Sequence, residues 1–122
     1  MSFLGAVHAQ IKNRQPGDPV RVTLEFLLAK AVGRKNAKST TAVVAHLRTH
    51  QIYQSIETFQ QTVLAESRAG DFFIGSSRKG IFLIETIDDA REVQEFYNEH
   101  IERQKKNLEK LEEQSHLRGW QI

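Results

Sequence analysis

Apolar residues along the chain recur mostly at helical spacing, and at one place they bunch into two strand-like runs. Phe3, Val7 and Ile11 follow a possible cap at Ser2 and predict a short amphipathic helix that ends before "NRQPGDP". Asp18 and Pro19 form a cap and first-turn pair for the next helix, predicted from about Pro19 to Val32 and stopped by Gly33, with Leu24, Leu27, Leu28 and Ala31 on one face. After the basic loop "RKNAK", Ser39 or Thr40 caps a helix that turns Val43, Val44 and Leu47 inward. A break around His50 to Tyr53 leads into "QSIETFQQTVLAESR", where Ile52, Ile56, Phe59 and Val63 predict a buried stripe and Gly70 a stop.

Two apolar runs then flank a polar knot in "DFFIGSSRKGIFLIE". Phe72 to Ile74 and Ile81 to Ile84 read as strands, with Gly75, Ser76, Ser77 and Gly80 as turn punctuation, so a hairpin carrying Arg78 and Lys79 at its tip is predicted. The rest, "TIDDAREVQEFYNEHIERQKKNLEKLEEQ", predicts one helix capped by Thr86, with Asp88 and Asp89 at its positive end. From about Ile87 to Leu117 it would measure about 45 Å. The expected class is mainly α with a β-hairpin (α+β), organised as an N-terminal amphipathic segment (1–17), a central domain (18–85) and a long C-terminal helix with its tail (86–122).

Charge changes the picture. Residues 1–84 hold 11 Lys and Arg against 5 Asp and Glu, whereas residues 85–122 hold 6 against 10. A basic body followed by an acidic helix suits a domain that faces a polyanion and an extension that does not; chance asymmetry is the plainer alternative. With no Cys, neither a disulfide framework nor a zinc knuckle is available, and a reducing compartment is natural. The N-terminus has no basic leader, and no apolar run reaches membrane-spanning length, so the expected location is the cytoplasm, without a membrane partner.

The face opposite the stripe of the predicted third domain helix carries Gln54, Thr58 and Gln61, with Ser55 and Thr62 beside them. Solvated helices usually place Lys and Glu there; neutral amides and hydroxyls are groups that read base edges, or else form a polar surface without special meaning.

From about Val20 to Ile84 the sequence resembles a winged helix-turn-helix domain. "GRKNAKSTTAVVAHL" resembles the end of a first helix, its loop and the start of a second, and "IGSSRKGIFLI" resembles the wing hairpins of small bacterial and phage winged-helix proteins. The resemblance implies binding to double-stranded DNA and association with the nucleoid, with Gln54, Ser55, Thr58 and Gln61 on the recognition helix and Ser77, Arg78 and Lys79 on the wing. Ser39 and Thr40, at the start of the second helix, fall where backbone phosphates are met. Arg34, Lys35 and Lys38 add to the same field. The third helix departs from the pattern, having no exposed cation before Arg68, which points toward an A·T-rich or weakly read site.

Along the C-terminal helix, Tyr97, Ile101, Gln104, Leu108, Leu111 and Ser115 step by four and three residues, a short coiled-coil seam. Tyr97, Ile101, Leu108 and Leu111 are the expected homodimer contacts. The alternative is one helix folded back on its own domain, with Trp120 and Ile122 as an anchor. His46 and His50 share a helical face but lack a third ligand, and capping accounts for Glu85, Asp88 and Asp89. "GSSRKG" is no phosphate-binding loop, and no nucleophile, metal or cofactor set emerges. The expected protein is not an enzyme but a dimeric, sequence-specific DNA-binding protein. It would act as a transcriptional regulator or as an accessory factor of a phage, mobile element or restriction system. The rival is a structural or assembly protein, such as a DNA packaging or partition component, using the winged domain for protein or non-specific DNA contacts.

Overall fold

The computed structural model describes residues 2–70 and 72–121, with Arg68 and Ala69 through their backbone alone. It is mainly helical, with one two-stranded antiparallel hairpin and a long C-terminal helix. Helix α1 (Phe3–Asn13) starts where the Ser2 hydroxyl accepts from the Gly5 N–H, and Val7 is its buried anchor. Helix α2 (Pro19–Lys30) is capped by Asp18, whose carboxylate accepts from Val20 and Arg21. It buries Leu24, Leu27 and Ala31, and also Val20 and Thr23, whose hydroxyl returns to the Pro19 carbonyl.

The chain leaves α2 two residues earlier than the apolar pattern predicts, because Ala31 and Val32 turn to pair with the hairpin. After a 3-10 turn (Arg34–Asn36), helix α3 (Thr40–Thr49) begins, with Ser39 rather than Thr40 as its cap and Val43, Val44 and Leu47 inward. Gln51, at φ 57°, reverses the chain before the next helix.

That helix starts at Ile56, capped by Ser55, and runs as α4 (Ile56–Phe59), a π turn (Gln60–Leu64) and α5 (Ala65–Ala69). Among its described side chains Phe59, Val63, Leu64 and Ser67 are buried. The π turn explains the four-residue step from Phe59 to Val63 to Ser67. A wider turn rotates less per residue, so positions four apart stay on one face where a regular helix would drift. This corrects the predicted stripe. Ile52 precedes the helix, and Ile56 is 42% exposed instead of facing the core.

Strands β1 (Ile74–Ser77) and β2 (Gly80–Leu83) pair in the register Ser77 with Gly80 and Ile74 with Leu83. Gly75, Ser76 and Ser77 therefore belong to a strand, and the turn is Arg78 and Lys79 alone. The free edge of β2 is covered: Lys38 exchanges both backbone hydrogen bonds with Ile81, while the Gly33 N–H donates to the Leu83 carbonyl and the Leu83 N–H to the Ala31 carbonyl. Gly80 makes the first of these approaches possible. It sits at φ +131°, and a Cβ there would stand 2.1 Å from the Lys38 carbonyl oxygen.

Helix α6 (Ile87–Leu117) opens with a capping box between Thr86 and Asp89. Its first turn lies at the base of the hairpin, Val93 packs over Gly75, and Glu99 reaches the hairpin tip, so α6 rises along the hairpin from base to tip. Beyond Glu99 it continues for 18 residues, or about 27 Å, away from the body. Between positions 98 and 120 Ser115 is the one buried residue, beneath its own C-terminal turn, where the N–H groups of Arg118 and Trp120 donate to its carbonyl.

Candidate nucleic-acid interface

The exposed surface of the first two turns of the fourth helix is formed by Ile56, Glu57, Thr58, Gln60, Gln61 and Thr62, with Glu57 as its charge; Glu66, further on, is exposed as well and pairs with Arg14. Its hydrogen bonds are mostly internal. The Ser55 hydroxyl accepts from the Thr58 N–H and donates to Thr58 Oγ1 at 2.9 Å; Thr62 Oγ1 donates to the Thr58 carbonyl at 2.7 Å; Gln61 Nε2 reaches Glu57 at 3.4 Å. Thr58 and Gln61 stand on the predicted surface. Ser55 is spent on capping, as expected of a Ser immediately before the first helical residue.

Gln54 requires a correction, for it precedes the helix and is not on its face. It is half-buried, and its Oε1 is enclosed without a hydrogen-bond donor among the described residues. The face gains Gln60 and Ile56, which sequence spacing did not select, and Tyr53 is exposed just before them. The signal was present in the Ser55 cap. A helix that begins at Ile56 cannot use Ile52 as part of its stripe.

Gln60 and Leu64 of the π turn line an open cleft of ≈ 530 Å³ with Thr40 from α3, Ser77 and Ile81 from the hairpin, and His100 from α6. The helix thus meets the start of α3 and the hairpin at Gln60 and Leu64. Lys35 and Ser39 are exposed, while Lys38 and Thr40 are half-buried.

Two of the predicted phosphate-binding cations are engaged within the protein. Arg34 donates from its backbone N–H and from Nη1 to Oδ1 of the buried Asp89, at 3.0 and 2.9 Å. Burial alone would raise the Asp89 pKa. The backbone N–H groups of Arg34, Glu85 and Thr86, together with the Arg34 guanidinium, outweigh it and lower the pKa to about 2. Arg34 is therefore a structural clasp between the α2–α3 connection and α6. Arg78 extends from the hairpin tip to Glu99 of α6. Lys79 shares a shallow cleft with Glu92 and Glu95, so the tip is cationic but has carboxylates beside it.

On α6, Tyr97 packs against the core of the body, so the free seam starts one step later than predicted, at Ile101. Ile101, Leu108 and Leu111 are each more than half exposed, and Trp120 is 61% exposed, so the helix is not folded back over the body through that residue. Ile122, the other proposed anchor, and the Arg68 side chain lie outside the described residues.

His46 stacks on Phe26 with ring centroids 4.3 Å apart, and His50 lies 4.9 Å from His46. Burial, and then the neighbouring His50, lower the His46 pKa. Among the described residues no group of three His, Cys, Asp or Glu is placed to hold a metal ion, and no helix is long and apolar enough to cross a membrane. Comparison with protein-family models, with curated proteins and with solved structures gives no match.

Proposed function

We propose that this protein binds double-stranded DNA as a homodimer, through a winged helix-turn-helix body, and serves as a transcriptional regulator or as an accessory factor of a phage, mobile element or restriction system. The observation that carries this reading is the cleft in which Gln60 of the fourth helix, Thr40 at the start of α3 and Ser77 and Gly80 of the hairpin meet, with the two-cation turn lying between those last two residues. The element order adds support: a helix, a short segment paired to the hairpin edge, two helices, then the hairpin itself. Thr58, Gln60, Gln61 and Ile56 would lie against base edges in a major groove, where amides bond adenine and apolar groups meet the thymine methyl. Lys35, Lys38, Arg78 and Lys79 would meet phosphates, with Ser39 and Thr40 beside them.

The test is selection from random duplex DNA followed by titration at two salt concentrations. A recovered motif bound more tightly than scrambled duplex, with affinity falling steeply as salt rises, is expected. A second reading, recognition of a protein by the same side in a structural or assembly role, is favoured by exposed Tyr53 and Ile56 and by the carboxylates next to the wing cations. Absence of salt-sensitive binding to any duplex would select it.

A further inference from the structure

We infer that two copies of α6 pair antiparallel, in one register fixed by Leu108 meeting Leu111 of the partner subunit; this rests on the homodimer reading and specifies its geometry. The free part of α6 starts at Glu99, which the hairpin tip of its own body occupies through Arg78, and the helix ends at Leu117. A partner lying along this segment meets a body at one end and its own C-terminal turn at the other.

Pairing Leu108 with Leu111 of the partner subunit puts Leu117 of the partner level with Glu102. The whole free segment is then used, and neither helix runs into the other body. The same alignment sets Gln104 against Ser115 of the partner, and Ile101 level with the partner's C-terminal turn, whose exposed apolar side chain is Trp120. Beside the central leucines, Lys105 faces Glu112 of the partner, twice by symmetry.

Sliding one heptad inward opposes Lys105 to its own copy, faces Gln104 with Leu108, and drives each C-terminus alongside the other hairpin. A parallel pair stacks Gln104 on Gln104 and leaves Lys105 without an acid across the seam. Charge and apolar matching together favour the antiparallel register. It also fixes a distance. The two Glu99 positions lie 21 residues apart along the helix axis, about 31 Å. The hairpin tips pinned to them are thus separated by close to one turn of B-DNA, the spacing of half-sites read by two-fold helix-turn-helix dimers.

The chain has no Cys, so disulfide mapping starts without background. Sedimentation of the full chain first asks whether a dimer exists; a monomer at every concentration overturns the homodimer reading and this register with it. Given a dimer, Leu108→Cys and Leu111→Cys proteins are mixed, allowed to exchange subunits and oxidised. A mixed disulfide several-fold more abundant than either self-linked product is expected. Self-linked Leu111→Cys as the main product overturns the register while leaving the dimer intact. Charge exchange gives a second measurement. Lys105→Glu and Glu112→Lys should each weaken dimerisation several-fold and the double variant should restore it; a double variant as weak as the singles counts against the pairing.

Discussion

Arg78 at the hairpin tip donates to Glu99, twelve residues into α6, at 2.8 Å, and both side chains remain substantially exposed. Exposed pairs of this kind are worth at most about 1 kcal/mol, so a phosphate can displace the carboxylate. Replacing Arg78 and Lys79 by Ala should weaken binding to all duplexes and reduce the slope of log affinity against log salt by up to about 2. Glu99→Gln should act oppositely, strengthening binding at low salt by up to about fivefold. Titration by fluorescence anisotropy checks both, and an unchanged salt slope in the double variant would remove the wing from the interface.

The exposed face of the fourth helix makes a different kind of prediction. Ile56→Ala and Gln61→Ala should flatten the preference among sequences by about 1–3 kcal/mol per lost base contact while leaving non-specific affinity alone. Replacing thymine by uracil in the selected site removes only methyl groups. A step that weakens wild-type binding but not Ile56→Ala binding would locate the contact. Preference that survives all of these changes belongs to another element.

Much of this architecture is legible in the sequence, since helices α1, α2, α3 and α6 each announce themselves by a cap and an apolar spacing. Ser2, Asp18, Ser39 and Thr86 all cap where a cap was expected, or at one of two adjacent candidates. Legibility fails where a long-range partner overrides a local pattern. Ile56 is a separate case, where the local Ser55 cap outweighs apolar spacing and starts the helix too late for Ile52 to share its stripe. Arg34 looks like a loop cation, yet a carboxylate 55 positions away claims it. The pairing of Val32 and Lys38 with β2 left no sign in a basic loop, because single backbone bridges need no particular side chain.

Asp89 ties three backbone N–H groups and the Arg34 guanidinium into the start of α6. Its pKa lies below the ordinary carboxylate value, at about 2, so its contribution is whole above about pH 4 and is lost as pH falls toward 2. Wild type should lose about 2 kcal/mol over that interval from this group. Asp89→Asn should already be weaker by a similar amount at pH 7, with the two proteins converging near pH 2. Urea denaturation followed across the pH range measures the gap; curves that stay parallel would deny Asp89 this role.

Gly80 gives a prediction about rigidity. Any side chain there meets the Lys38 carbonyl at a backbone angle that L residues resist, so Gly80→Ala should cost about 3 kcal/mol. Gly119, also at positive φ but with open space around it, should tolerate Ala at about 1 kcal/mol. Thermal melts of the two variants compare crowding with backbone preference alone.

The π turn at Gln60–Leu64 has an outcome for how this chain can change length. It stores one residue more than an α-helix needs to cover the same path, so it is a natural place for a one-residue deletion without opening a gap in the main chain. Because the wide turn already absorbs that residue, losing it would return the segment to α geometry and leave the turns on either side nearly in phase. A deletion of the same size in the regular turns of α3 would instead swing everything before it by about 100° relative to everything after. The fourth helix can therefore be shortened by one residue at a place where α3 cannot.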